Sequence, residues 1–240
     1  EDLQIRMTLE PVRDLKIDLR AGRTRNSSRE IQFMFNDMPE VQSGNFNMTI
    51  ITIGSAFEKH KPSNGYSSSA FTRFLGNLEV IRQRVESRYA GAVYPEGTSA
   101  AGQPFDPAKT PVNAYTPDVM IPAFLAAYTG RDAGKSALDL FPGMLSMMPN
   151  WTITYSGLSK LDFFKKYFKS FTINHAYRST YSIGSYSTFQ TYHNYMGDLG
   201  FVDDVQTGSP IPSSMYDVSA VSINEQFSPL LGVDMTFNNG

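Results

Sequence analysis

Alternation of apolar and polar residues with a period of two is the feature that most constrains this sequence. In residues 3–10, Ile5, Met7 and Leu9 alternate with polar side chains, and residues 15–20 repeat the pattern after a short turn. Successive side chains of a strand point to opposite faces, so this pattern predicts a β-hairpin with one apolar and one polar face. Similar patterns predict six further strands, at 31–35, 45–57, 151–156, 171–188, 217–227 and 233–237.

The connections between these eight predicted strands alternate in length. Those after the first, third, fifth and seventh strands are short to medium, at 11–14, 36–44, 157–170 and 228–232. The others are longer or polar, at 23–29, 58–149 and 191–215. Short turns on one side and long loops on the other are typical of outer-membrane β-barrels, but eight strands also suit a small closed barrel or a soluble sandwich. The pattern alone leaves a membrane barrel and a soluble β-structure both open.

The longest interruption, residues 58–149, has a helical rather than a strand-like pattern. Ser67, Ser68 and Ser69 are suitable N-caps for a helix whose apolar positions run from Phe71 to Tyr89 at helical spacing. A second, apolar helix is predicted at 118–128, and the stretch between the two helices is rich in Gly, Pro, Ala and Ser. We therefore expect barrel strands in 1–57, a helical and irregular loop insertion on the extracellular side in 58–149, and barrel strands in 150–240.

Composition excludes several classes of function. The chain has no Cys and three widely spaced His residues (His60, His175 and His193), which argues against a metal centre and a cysteine nucleophile. With 21 basic and 23 acidic residues it lacks the basic excess of a nucleic-acid binder, and it has no phosphate-binding Gly-rich loop. His175, Arg178 and Ser179 lie on alternate faces of one predicted strand, so they do not converge. We expect no enzyme activity, no cofactor and no nucleic-acid partner.

Two groups of residues are candidates for function in a barrel. The lumen-facing candidates lie on the polar face of the first hairpin: Arg6, Glu10, Lys16, Asp18 and Arg20. The alternative is that these residues form the solvated face of an ordinary sheet, where opposite charges also pair across strands. Aromatic residues cluster around Trp151 and at 163–171, and such clusters are typical of the aromatic girdles that outer-membrane barrels place at the membrane interfaces. These membrane-interface candidates are Trp151, Tyr155, Phe164, Tyr167 and Phe168.

Several longer runs carry a more specific resemblance. They are TLEP at 8–11, DLKI at 14–17, SGNF at 43–46, DVMIPAFLAAYTG at 118–130, PNW at 149–151, YSGLSKL at 155–161, FKKYFKS at 164–170, HAYRSTY at 175–181 and EQFSPL at 225–230. In this order and spacing the chain resembles the C-terminal part of the SprA/Sov family, the giant outer-membrane translocons of the type 9 secretion system in Bacteroidetes. The resemblance is weakest at 58–117 and 186–215.

The resemblance implies a fold and a function that the pattern alone does not. It implies that the chain is a segment of a very large antiparallel transmembrane β-barrel in the cell outer membrane, an all-β membrane fold with a helical loop insertion. Such a translocon conducts folded cargo proteins with C-terminal sorting domains, and it works with a PorV-type shuttle barrel, a plug protein and outer-membrane lipids. Because 240 residues are too few for a whole translocon, we expect a slice of the barrel wall. The alternative is a soluble, surface-exposed β-sandwich that binds a ligand or acts as an adhesin module.

Overall fold

The computed structural model describes residues 1–31, 40–58, 62–65 and 68–239. Strands make up 42% of the described residues and helices 23%, which agrees with the predicted β-rich fold carrying a helical insertion. His60, Ser67 and the predicted strand at 31–35, Ile31 apart, lie outside the described ranges. None of the helices within those ranges is both long enough and apolar enough to cross a membrane.

The described residues form eleven strands and four α-helices. The strands are β1 (Asp2–Val12), β2 (Leu15–Glu30), β3 (Val41–Thr49), β4 (Asn150–Tyr155), β5 (Phe168–Thr188), β6 (Tyr192–Met196), β7 (Leu199–Asp203), β8 (Pro210–Ser213), β9 (Tyr216–Val218), β10 (Val221–Phe227) and β11 (Gly232–Phe237). The helices are α1 (Ile53–Ala56), α2 (Ser69–Ser87), α3 (Pro117–Thr129) and α4 (Asp162–Tyr167).

The main sheet is an antiparallel meander with five strand positions. β1 pairs with β2, and β2 pairs with both β3 and β4, which in turn both pair with β5. Because β3 and β4 run in the same direction between the same two neighbours, they are two parts of one strand position. β9, β10 and β11 likewise lie end to end along the other side of β5. The described residues therefore form five long strand positions here, where alternation predicts eight consecutive strands over the whole chain.

A gap of a single residue position separates β3 from β4. Along β5, Thr49 of β3 lies opposite Thr180 and Trp151 of β4 lies opposite Tyr177. Asn150, the first residue of β4, continues this register to Arg178, so only Ser179 faces the gap. Residues 50–149 leave the sheet at this gap and return to it, and we call them the insertion. The strand predicted at 45–57 therefore ends at Thr49, and the insertion begins earlier than the predicted residue 58. We call the end of the sheet on the β3 side of the gap its upper end.

The polar stretch at 23–29, predicted to be a loop, is instead the upper half of β2. It pairs with β3, so that Asn26 lies opposite Asn45. Two arginines occupy positions on the face that is apolar elsewhere. The Arg23 guanidinium lies 5.0 Å from the centre of the Phe46 ring, and that of Arg25 lies 4.2 Å from the centre of the Phe141 ring. Stacking on aromatic rings lets these cations occupy buried positions, which the period-two pattern does not reveal.

Residues 228–232, predicted to be a tight turn into another strand, form a bulge instead. The Ser228 amide donates a hydrogen bond to the Ala176 carbonyl at 3.1 Å, and the Ala176 amide donates one to the Pro229 carbonyl at 2.9 Å. These two bonds hold the bulge against β5, so β11 continues in the direction of β10.

The insertion has its own hydrophobic core. Its helices α2 and α3 lie close to the predicted positions, and α3 ends at Gly130, whose φ of 70° suits glycine. Residues 191–215, predicted to be loop-like, form the small sheet β6–β7–β8. Phe201 of this sheet packs against Tyr89, Tyr94 and Phe105 of the insertion at ring distances of 4.9–5.7 Å.

A second core joins the insertion to the upper sheet. Phe46 and Met48 of β3 and Tyr181 and Ile183 of β5 are buried there, and Ile121 of α3 packs on them. The insertion therefore covers one face of the upper sheet.

A tight backbone contact fixes β3 beside its neighbours. The Tyr186 hydroxyl crosses Gly44 and donates a hydrogen bond to the Asn26 carbonyl at 3.0 Å. A Cβ atom on Gly44 would lie 2.7 Å from that hydroxyl oxygen and would also overlap the Asn26 carbonyl. Only glycine fits at this position without displacing a neighbouring strand.

Candidate membrane-facing surface

Below the gap, one face of the sheet is a continuous apolar surface. The register places Leu9 beside Ile17, Ile17 beside Ile153, and Ile153 beside His175. We call the aliphatic and methionine residues of this face the apolar band: Ile5, Met7, Leu9, Leu15, Ile17, Leu19, Ile153, Ile173, Val233 and Met235. The band residues on the two outermost strands, β1 and β11, are about half exposed, at 49% for Ile5, 52% for Met7 and 50% for Met235. The sequence pattern predicts this face, and the cross-strand register confirms that its residues lie side by side.

Aromatic residues line the upper edge of the apolar band. Trp151 stacks on Tyr177 with ring centres 4.4 Å apart, and Tyr177 packs against Phe227 at 5.1 Å. Phe57, from the start of the insertion, lies 5.2 Å from Phe227. We call Trp151, Tyr177, Phe227 and Phe57 the upper belt. Trp151 is a predicted membrane-interface residue. The sequence does not predict an interface role for Tyr177, Phe227 and Phe57, because the contacts that bring them together join distant parts of the chain.

A second aromatic cluster lies at the lower edge, around α4. Phe164 packs against Phe171 at 4.9 Å, and Phe168 lies 5.0 Å from Phe237. We call this group the lower belt: Tyr155, Phe164, Tyr167, Phe168, Phe171 and Phe237. It contains the other four predicted membrane-interface residues, with Tyr155 at the end of β4 and Tyr167 at the end of α4. Lysines accompany this belt, and the Lys166 ammonium lies 5.5 Å from the centre of the Tyr167 ring.

Between their outermost members on β5, the two belts are separated by about the thickness of a bilayer's hydrocarbon region, whereas Trp151 and Tyr155 of β4 are four residues apart, roughly 13 Å along the strand. Phe168 and Tyr177 lie on the same strand, β5, nine residues apart. At about 3.3 Å per residue this is roughly 30 Å along the strand. A strand tilted by roughly 40°, as in outer-membrane barrels, would then place the belts about 23 Å apart along the membrane normal, close to the roughly 25 Å apolar band of such barrels.

The opposite face of the same strands is polar. Asp18 accepts a hydrogen bond from the Thr8 hydroxyl at 2.6 Å and lies 3.3 Å from the Lys16 ammonium. Arg6 lies directly opposite Arg20. Four of the five lumen-facing candidates therefore share this face, while Glu10 lies in the irregular pairing between Leu9 and Val12. The face continues across the sheet with Thr152, Thr154, Asn174, Arg178, Thr180, Ser182, Ser222, Asn224 and Gln226.

Hydrogen bonds close the gap between β3 and β4 just above the upper belt. The Ile50 amide donates to the Ser179 carbonyl at 3.2 Å, and the Asn150 side chain accepts from the Ser179 amide at 2.8 Å. The Met148 amide donates to the Thr49 carbonyl at 3.1 Å. Backbone groups at the gap are thus paired although the strand is interrupted.

A buried polar cluster lies at the same place. The Glu225 carboxylate accepts hydrogen bonds from the Thr52 hydroxyl at 2.8 Å and the Tyr177 hydroxyl at 2.5 Å. The Thr52 hydroxyl also lies 2.9 Å from that of Ser179. This cluster ties the start of the insertion to both β5 and β10. Sequence pattern gives no signal for it, because Glu225 lies 48 residues from Tyr177 and 173 residues from Thr52.

The arginines along α2, a possible site for an acidic partner, are paired within the chain. Arg82 contacts Glu79 at 2.8 Å and Glu86 at 2.7 Å, and Arg88 pairs with Asp198. Hydrogen bonds from Arg82 and Gln83 lower the pKa of Glu79 to about 2. These arginines therefore stabilise the insertion and present little unpaired charge.

Glu58 closes the N-terminus of α2. Its carboxylate accepts from the Ser68 hydroxyl at 2.6 Å and from the Ala70 amide at 2.9 Å. These hydrogen bonds lower the pKa of Glu58, with the Ser68 hydroxyl as the largest cause. The predicted cap at Ser68 is confirmed, since its hydroxyl also accepts from the Phe71 amide.

The described residues show no assembled group for metal binding, since no three His, Asp or Glu side chains among them lie together. His175 lies on the apolar face, with Nδ1 2.6 Å from the Leu230 carbonyl oxygen. His193 lies 3.1 Å from Asp203 in the small sheet. No protein-family model matches the chain, and no curated protein is significantly similar to it. The two faces of the sheet and the two belts are therefore the features of the molecule that indicate a function.

Proposed function

We propose that the chain is part of the wall of an outer-membrane β-barrel, with the apolar band facing lipid and the polar face lining the lumen. The observation that carries this proposal is the uncovered apolar band between two aromatic belts, backed by a face that is polar throughout. Lipid-exposed strands of outer-membrane barrels have this combination, with aromatic girdles at both membrane interfaces.

The division of the apolar face at the upper belt supports this orientation. Above the belt, Phe46, Tyr181 and Ile183 are fully covered by the insertion. Below it, the band residues on β1 and β11 remain between 42% and 52% exposed. The same face is thus covered by protein in its upper part and left for hydrocarbon in its lower part.

Topology supports the same proposal. Neighbouring strands in an antiparallel meander are joined at alternate ends, as in a barrel wall. The lower connections have two residues at 13–14 and twelve at 156–167, and the upper connections have ten at 31–40 and 27 at 189–215. Among the described strands, β1 and the β9–β10–β11 position each pair on one side only. Long unpaired edges favour association with further strands, as closure of a larger barrel would provide.

The resemblance to the SprA/Sov family extends the proposal to a specific role. The barrel would be a protein-secretion translocon of the type 9 system, and folded cargo with C-terminal sorting domains would pass along the polar face. A PorV-type shuttle barrel and a plug protein would then gate the pore. The hydroxyl, amide and mixed-charge side chains of the polar face suit passive conduction, because they keep the wall hydrated without a large field of one sign.

A soluble sandwich fits these observations less well. It requires a second sheet packed on the apolar band, with Ile5, Ile17, Ile153 and Ile173 buried inside. Ile5 is 49% exposed, and the other three are half-buried by their neighbours in the sheet. The small sheet β6–β7–β8 packs on the insertion instead.

Trp151, the single tryptophan of the chain, provides a direct test. The protein is extracted from membranes in detergent and reconstituted into phosphatidylcholine vesicles containing lipids brominated on their acyl chains. The readout is the difference in fluorescence between the protein and its Trp151→Phe variant, so that any tryptophan outside these 240 residues cancels. We expect brominated lipid to quench Trp151 strongly. As a matched control, Trp151→Phe combined with Thr152→Trp moves the fluorophore to the polar face, where aqueous acrylamide should quench it and brominated lipid should not.

Two results would overturn the proposal. One is quenching of Trp151 by acrylamide but not by brominated lipid. The other is a polypeptide of 26.8 kDa that stays in solution in plain buffer without detergent. An intact mass several-fold larger would support a slice of a larger barrel.

A further inference from the structure

Two segments of the insertion carry exposed apolar side chains immediately beside the upper belt. The first, residues 50–57, follows the gap and contains α1, and the second, residues 142–149, precedes β4. The exposed side chains on them are Ile53 (39%), Phe57 (60%), Met144 (61%), Leu145 (101%) and Met148 (37%). We call these five residues the collar.

The collar is held in place by contacts with the wall. Phe57 packs on Phe227 of the upper belt at 5.2 Å, and the Met148 amide is hydrogen-bonded to Thr49 at 3.1 Å. The Pro142 carbonyl accepts from the Arg23 side chain at 2.9 Å. Both segments are therefore fixed to the sheet at the height where the apolar band ends.

The collar segments also lack charge. Residues 50–57 contain no charged side chain, and neither does the stretch 140–159, which runs through the second segment and the whole of β4. The turn at Met144–Ser146 pairs part of its own backbone, with the Ser146 amide donating to the Gly143 carbonyl at 3.0 Å and the Met147 amide to the Met144 carbonyl at 3.1 Å. A fully exposed leucine on an uncharged turn is unusual for a surface in water but suits a membrane interface.

We infer that the collar inserts into the outer edge of the hydrocarbon region and that its occupant is lipid acyl chain. Continuity with the apolar band carries this inference, because the collar extends the band's apolar surface outward beyond the belt on the same face of the wall. The insertion would then rest on the membrane surface, with Leu145 as its deepest contact. This inference rests on the proposed barrel wall and adds a lipid contact made by the insertion.

Single-tryptophan variants test the collar separately from the wall. In vesicles of phosphatidylcholine brominated near the headgroup end of the acyl chains, the fluorescence of Trp151→Phe alone is subtracted from that of each protein, so that the native protein reports Trp151. The variant Trp151→Phe with Leu145→Trp reports the collar, and Trp151→Phe with Tyr115→Trp reports an exposed site (73%) elsewhere on the insertion. We expect brominated lipid to remove most of the fluorescence at positions 151 and 145, with emission at shorter wavelength, and acrylamide to quench position 115.

The outcomes separate the two proposals. If position 145 is quenched by acrylamide and not by brominated lipid while Trp151 is quenched by the lipid, the collar is refuted and the wall is retained. If Trp151 itself escapes quenching by the lipid, both are refuted. Because Leu145 is fully exposed, its replacement by Trp leaves the packing of the insertion unchanged, and circular dichroism of the variant checks this.

Discussion

An arginine on the apolar band should cost far more in a membrane than in water. Leu9 lies opposite Ile17 and in line with Ile153, midway between Trp151 and Tyr155 of β4, and it is 42% exposed, so Leu9→Arg introduces no steric conflict. In water, a substitution at such a surface position changes the free energy of unfolding by about 0.5 kcal/mol or less. On the lipid face of an outer-membrane barrel, Arg near the midplane costs about 2–4 kcal/mol. We therefore expect Leu9→Arg to lower the equilibrium constant for folding in vesicles by roughly 30- to 700-fold, at about 1.4 kcal/mol per factor of ten.

The adjacent residue gives the matched control. Thr8 points to the polar face and lies beside Asp18, so Thr8→Arg places its guanidinium in water next to a carboxylate. We expect that variant to change the free energy of unfolding by less than about 1 kcal/mol, as for other solvated positions. Guanidinium titration in phosphatidylcholine vesicles, followed by Trp151 emission, measures both. Equal effects of the two variants, or a change below about 0.5 kcal/mol for Leu9→Arg, would refute a lipid-facing band.

Three further predictions concern the stability of the sheet and the insertion, and they change Gly44, Thr52 and Glu79. Gly44→Ala should lower stability by about 2 kcal/mol or more, because its Cβ has no space between β2 and the Tyr186 ring, and thermal unfolding measures this. Thr52→Val should cost about 1–3 kcal/mol, because it leaves Glu225 with one hydroxyl donor fewer in a buried site. Glu79→Gln should remove part of the acid sensitivity of the insertion. The pKa of Glu79 is lowered in the folded state from 4.5 to about 2, so its contribution is present above pH 4.5 and is lost as the pH falls towards 2.

Each of these predictions has a variant or a result that would contradict it. Gly76→Ala in α2 meets open space and should stabilise the chain by about 0.5–1 kcal/mol, so a loss of stability equal to that of Gly44→Ala would contradict the steric argument. Thr52→Ser keeps the hydroxyl and should restore most of the stability that Thr52→Val removes. For Glu79→Gln, acid unfolding of the insertion is followed by hydrogen exchange in α2, and an unchanged pH profile would contradict the assigned role.

Local alternation predicts the two faces of the sheet well. Met7, Ile17 and Ile153 are predicted on one face of their strands, and the register places them together. The helices α2 and α3 also follow from spacing, capping at Ser68 and the glycine at 130. These features depend on residues close in sequence, which is why the pattern contains them.

Features that depend on distant pairing are not predictable in the same way. The union of β3 and β4 into one strand position depends on both pairing with β2 and β5, across about a hundred residues of insertion. Arg23 and Arg25 interrupt the apolar alternation in the upper half of β2, so the sequence pattern there predicts a loop. Their stacking partners, Phe46 and Phe141, lie elsewhere in the chain. In the candidate membrane-facing surface, Trp151 and the residues around α4 are found from sequence, whereas Tyr177 and Phe227 join the upper belt only through the register.

The one-residue gap between β3 and β4 makes the insertion modular. If Ile50 were joined directly to Asn150, the ten residues 41–50 and the six residues 150–155 would form one uninterrupted strand with the same length as the 16-residue β2. The wall can thus be regarded as complete without its appendage, and such a site can acquire, lose or exchange a domain while every register around it is preserved. In the proposed barrel, the insertion would add a folded module to the outer surface and leave both the rim loops and the interior free.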